Sequence, residues 1–209
     1  MTRAGAQTTT LLLVRHGQST WNAAGRWQGH ADPPLSPLGE EQARQAGARL
    51  ASDGRIDAVV TSDLRRAHRT ATLVGAVLGL DASIEERVRE RDAGEWTGLT
   101  RDDIDRDWPG YLAEHRRPPR FEDDATLLAR VLPALAELGA RHAGGRVLVV
   151  THGGVVRTVE RHHGTKAPPL ANLGGRAVHV SVDGSALVVG DPVLLVDGDD
   201  VAITVPNQI

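Results

Sequence analysis

The chain has 209 residues, 40% of them hydrophobic and 24% charged, with a net charge of −3 and no cysteine. That length can bury one sizeable core. The charge balance excludes a basic field for nucleic acid or an anionic membrane surface, and the lack of cysteine excludes disulfides and thiolate metal sites.

Aromatic residues make up only 3% of the chain, so packing must rest on Val, Leu and Ala, which suits a sheet covered by Ala-rich helices. The first ten residues are polar and lack the apolar core of a signal peptide, and no apolar run reaches the length of a membrane span. The expectation is a soluble cytoplasmic protein with no membrane or nucleic-acid partner.

Residues 11–14 are a short apolar run suited to one buried strand, and the run ends abruptly in Arg15, His16 and Gly17. Ligands of open α/β sheets bind beyond the carboxyl ends of the strands, so a cation and an imidazole at that tip face a crevice. The loop 17–35 follows, with Asn22, Gln28, Gly29 and Asp32 among turn-forming neighbours; a loop of that length in a compact domain is more often functional than idle. Ser36 and Pro37 read as the start of a helix reaching about residue 51.

A second buried strand, 57–61, leads into Ser62, Asp63, Leu64, Arg65 and Arg66, and then into a helical stripe of Leu64, Ala67, Ala71, Val74 and Leu78. With Ser62 or Asp63 as cap, Arg65 falls in the first helical turn, against the preference of the helix dipole. It is therefore the candidate for holding an anion there, and Arg66 and Arg69 read as solvated or salt-bridged.

Residues 84–88 read as a short strand leading to Glu90, and 97–121 as a partial lid of short helices. Asp123 or Asp124 caps a longer helix that Pro133 should kink. Residues 147–150 form another apolar strand, which ends in Thr151, His152, Gly153 and Gly154, a second His-Gly step. A helix follows to about residue 164. From Arg176 the pattern becomes alternating, with strands at 177–182, 186–189 and 201–205 and a hairpin signal at Asp183 and Gly184. This order predicts a single domain over 1–209, a three-layer α/β/α sandwich whose mostly parallel sheet has antiparallel C-terminal edge strands. Those edge strands could also pair two copies into a homodimer.

Five landmarks in register carry a resemblance. They are Arg15-His16-Gly17 with Asn22, Gln28 and Gly29; Leu35-Ser36-Pro37-Leu38-Gly39; Ser62-Asp63-Leu64-Arg65-Arg66; Glu90-Arg91-Asp92-Ala93-Gly94-Glu95-Trp96; and Thr151-His152-Gly153-Gly154. Over residues 11–175 the chain resembles the histidine phosphatase, or phosphoglycerate-mutase-like, superfamily.

The resemblance implies that His16 takes the phosphoryl group of a small phosphorylated metabolite and water then releases it, with no cofactor or metal. Arg15, Arg65, His152 and Asn22 would hold the equatorial oxygens, Gln28, Gly29 and Gly153 would complete the binding site, and Glu90 would be the general acid. The family's mutases are longer than this chain, which favours a phosphatase; a mutase and a non-catalytic binder of phosphorylated ligands are the alternatives. Many members carry Gly-Glu-Ser where this chain has Phe121-Glu122-Asp123. The added bulk and charge there are expected to disfavour anionic substrates.

Overall fold

Strand β1 (Thr8–Arg15) is buried along almost its whole length, and its Leu and Val side chains point alternately to two faces. Both faces are covered. Leu11 and Leu13 pack with residues of α5 (Asp124–Arg141) and α6 (Gly153–His162), while Leu12 and Val14 pack with α2 (Pro37–Asp53) and α3 (Arg65–Leu78). This is the three-layer α/β/α arrangement. The computed structural model describes residues 8–165 and 169–197. Among them no helix is long and apolar enough to cross a membrane.

The other strands are β2 (Ala58–Thr61), β3 (Ala82–Ile84), β4 (Arg146–Thr151), β5 (Gly174–Ser181) and β6 (Leu187–Leu194), and the sheet order is β3-β2-β4-β1-β5-β6. β1, β2, β3 and β4 are mutually parallel; β5 adds antiparallel to β1, and β6 adds antiparallel to β5. Arg15 sits opposite Thr151 in the register, so His16 and His152 leave adjacent strand ends together. The expected strand 201–205 lies outside the described residues.

Several local expectations are refined. The 17–35 loop contains a helical turn, α1 (Thr20–Ala23), closed by a capping box between Ser19 and Asn22. Residues 84–88 are not one strand: β3 stops at Ile84 and a 3₁₀ turn, Glu86–Val88, follows. Residues 97–121 hold one short helix, α4 (Arg101–Asp107), followed by turns. Asp123 caps α5, which stays helical through Pro133.

Candidate active site

Gly17 and Gly39 bring the start of α2 against the tip of β1. A Cβ on Gly17 would stand 2.6 Å from the Gly39 carbonyl oxygen, and one on Gly39 would stand 2.0 Å from that of Gln18. Neither position has room for a side chain. Ser36 caps the same helix by accepting a hydrogen bond from the Gly39 N–H at 3.0 Å.

His16 is buried at that tip, and its backbone is held on both sides. Its N–H donates to Thr151 (2.9 Å) and its carbonyl accepts from the Asn172 amide (2.8 Å). Its ring Nδ1 lies 2.6 Å from the Gly17 carbonyl oxygen, which can only accept, so Nδ1 carries the hydrogen and Nε2 carries the lone pair. Arg66 Nε donates toward Nε2 at 3.2 Å. Burial first, then the charges of Arg66 and Arg15, push the imidazole's pKa well below its ordinary value, with the Gly17 hydrogen bond opposing. The ring is neutral, with Nε2 available as a nucleophile.

His152 meets His16 edge to face with ring centroids 5.2 Å apart. It is held neutral by the same causes, burial and then Arg66. Its Nε2 lies 2.7 Å from Ser62 Oγ, whereas its buried Nδ1 has no hydrogen-bond partner among the described residues. Asn22 repeats the pattern: Oδ1 accepts from Ser19 N–H at 3.1 Å, and the buried Nδ2 has no partner among the described residues. Buried polar groups are nearly always satisfied, so two orphaned groups flanking the His16 ring point to a ligand with acceptor oxygens.

The expected anion-binding Arg65 is misplaced. The N-cap of α3 is Leu64, not Ser62 or Asp63. That later start turns Arg65 outward: its backbone N–H donates to Asp32 Oδ1 at 2.7 Å, and its exposed side chain lines a separate groove with Glu40, His68 and Arg69. Arg66, expected to be solvated or salt-bridged, is 0% exposed and takes the inner place. Its guanidinium donates to the carbonyls of Ala31 (2.7 Å) and Gly29 (2.9 Å) as well as to His16. Arg15 donates to the Leu170 carbonyl at 3.2 Å. Burial lowers the pKa of both guanidiniums to about 10, partly offset by Glu90.

Glu90 reaches the same place. Its carboxylate accepts from the N–H groups of Arg91 (2.8 Å) and Gly154 (3.2 Å), and its backbone carbonyl accepts from Arg130 (2.9 Å). A Cβ on Gly154 would lie 2.2 Å from Glu90 Oε1, so the second His-Gly step needs its second glycine for this contact. Arg15, His16, Asn22, Gln28, Gly29, Glu90 and Gly154 share the wall of one cavity of about 190 Å³. Gly153, expected at the binding site, is instead the buried first residue of α6 and is not in that wall.

Apart from Phe121, the outer wall is not among the sequence expectations. It is lined by Trp27, Arg91, Ala93, Phe121, Arg117, Asp124, Arg157 and Arg161. Phe121 does stand in it, packed edge to face on Trp27 and Trp96. The expected negative charge is not there: Glu122 pairs with Arg130 at 2.8 Å and Asp123 caps α5. Neither Glu122 nor Asp123 lines the wall, so the charge part of the expectation for Phe121-Glu122-Asp123 is corrected; four arginines and Asp124 stand there instead. Ser62 was read only as a cap, and nothing in its local pattern reveals its contact with His152.

Residues 11–179 match the family model of the histidine phosphatase superfamily (branch 1). The chain belongs to that superfamily. It is 34% identical to a metal-independent phosphoserine phosphatase of Arabidopsis thaliana, over 84% of this chain and 78% of the relative. It is 39% identical to a 2,3-bisphosphoglycerate-dependent phosphoglycerate mutase of Methylorubrum extorquens, over 71% of this chain and 76% of that protein.

Among solved structures, a mycobacterial glucosyl-3-phosphoglycerate phosphatase superposes with a TM-score of 0.76 at 28% identity, covering 91% of this chain and all of that one. The 161 residues matched in the Methylorubrum protein are 76% of its length, so it is about as short as this chain. Length does not separate mutases from phosphatases here.

Proposed function

We propose that the protein is a metal-independent phosphatase of small phosphomonoesters that works through a phosphohistidine on His16. The observation that carries the reading is the buried, neutral His16 ring, with Nδ1 committed to Gly17 and Nε2 presented among Arg15, Arg66 and the unpartnered Asn22 and His152 nitrogens. Nε2 attacks phosphorus, the ester P–O bond breaks, and Glu90 gives its proton to the departing alkoxide. In the second half Glu90 takes a proton from water, the water oxygen attacks phosphorus, and the N–P bond breaks to release phosphate and free His16. Arg15, Arg66 and the two orphaned groups hold the charge on the equatorial oxygens throughout. His152 fits that role with Nδ1 protonated and Nε2 accepting from Ser62.

A small intracellular metabolite suits a cavity of this size, and a cytoplasmic setting belongs to the same proposal. A non-catalytic binder would have no use for Glu90. The test is phosphate release from a panel of small phosphomonoesters in EDTA, with trapping of acid-labile phosphoprotein. Turnover and a labelled intermediate are expected, both lost in His16→Ala. Activity surviving in that variant would falsify the assignment of the nucleophile.

The relative named as a mutase supports a second reading. Phosphate exchange between positions of a substrate, with little free phosphate, would favour it.

A further inference from the structure

Among the described residues, the arginines of the outer wall outnumber the carboxylates that face them. Arg91 and Arg161 share a single carboxylate there, Asp124: Arg91 contacts its Oδ1, and Arg161 lies 3.0 Å from Oδ2, and both also donate to Thr158 Oγ1. Arg157 and Arg176 likewise share Glu160, whose two oxygens accept from them at 2.8 and 2.6 Å. Glu160 and Arg176 are both buried, so this carboxylate anchors Arg157 to β5 from within the fold. Arg117 has no carboxylate within ion-pair distance among the described residues. Its guanidinium stands 5.4 Å from the centre of the Phe121 ring and 5.5 Å from that of Trp96. Partial burial, then the charges of Arg91 and Arg161, lower its pKa. Among the described residues, one wall therefore gathers four arginines around a single lining carboxylate, Asp124.

The placement of that charge is ordered. Gly154, Arg157 and Arg161 are spaced three and four apart, so they form one stripe of α6 along the cavity. Gly154 touches Glu90, the proposed acid. At 1.5 Å per residue, Arg157 and Arg161 stand about 4.5 and 10 Å further along the helix axis. The stripe leads from the point where the ester bond would break toward the part of the cavity that would hold the departing alcohol.

We infer that the outer wall is a subsite for a second anionic group, a carboxylate or a second phosphate, carried on the alcohol part of the substrate a few bonds from the ester oxygen. Arg117, Arg157 and Arg161 receive it, and Glu160 with Arg176 are positioning residues that hold Arg157 in place. This deepens the proposed phosphatase reading and rests on it for the direction in which the substrate lies.

The experiment separates the two. His16→Ala, which leaves ligands intact, is titrated calorimetrically with three esters that differ only at the far end: propyl phosphate, 3-phosphooxypropanoate and propane-1,3-diol bisphosphate. At least one of the two charged esters is expected to bind about tenfold or more tighter than propyl phosphate, as charge-assisted bonds to guanidinium imply. Which one does so identifies the anion. The preference should shrink to about threefold or less when Arg117→Ala is added, and should weaken with salt.

Equal affinity for all three esters, or a preference that Arg117→Ala and Arg161→Ala both leave intact, overturns the subsite. Hydrolysis of p-nitrophenyl phosphate by the unaltered protein is the separate arm. Its absence counts against the phosphatase reading, and the binding preference still decides the subsite.

Discussion

At the scale of single residues, the site turns on the choice between two adjacent arginines. Arg66 donates to His16 Nε2 and to two carbonyls of the 17–35 loop, whereas Arg65 faces solvent. Arg66→Ala should lower kcat/KM by about a hundredfold or more, the usual cost of a lost transition-state donor. Arg65→Ala should change it by no more than about threefold. Steady-state kinetics on the two variants checks this, and the reverse ranking would restore Arg65 to the site.

The difference between the two arginines has a physical origin. Reading Ser62 or Asp63 as the cap set the helical phase too early. Arg66 lies four residues before Thr70, which is buried in α3, and Arg65 lies four before the exposed Arg69. The phase of the buried stripe thus held the answer that the capping preference obscured. His16, His152, Arg15 and Asn22 were legible because strand ends and one short loop present them. The outer arginines were not, because residues 91, 117, 157 and 161 are brought together only by tertiary packing.

At the scale of elements, helix α6 joins the sheet to the cavity. One face packs Val155, Val156 and Val159 into the core, another carries Gly154, Arg157 and Arg161 along the pocket, and Glu160 ties the helix to β5 through Arg176. Removing that carboxylate leaves two nearly buried guanidinium groups without their shared partner. Glu160→Ala is expected to cost about 3 kcal/mol or more of stability, measured as the shift in urea unfolding. A cost under about 1 kcal/mol would mean that Arg157 and Arg176 do not depend on it.

Most of the elements were readable from hydrophobic period and cap residues, including α2 with Ser36 and α5 with Asp123. Residues 84–88 misled because the apolar signal there is only Ile84 and Val88. Ile84 is exposed on the edge strand, and Val88 is buried beyond it in a turn.

At the scale of the whole molecule, two neutral histidines sit at the centre of the fold, and this links stability to pH. The unfolded chain binds a proton at each near pH 6.5, and the folded chain does so only at much lower pH. The folded state therefore loses stability as pH falls below about 6.5. The loss is about 1.4 kcal/mol per histidine between pH 7.5 and 5.5. Paired carboxylates such as Asp63 and Glu122, whose pKa values are lowered, add their own loss only below the usual carboxylate range. Urea titrations at pH 7.5 and 5.5 should show the histidine step, reduced in His16→Gln; an unchanged stability would mean that both rings take up protons in the folded chain as readily as in the unfolded one.

The two neighbouring strands β1 and β4 carry both His-Gly steps, while the cationic wall is drawn from the 91–121 stretch and the outer length of α6. On the proposed reading, reaction and recognition hang on different parts of the chain. Descendants of this scaffold would then be retargeted by rewriting Arg117, Phe121, Arg157 and Arg161, with Glu160, His16 and the neighbours of His16 inherited unaltered.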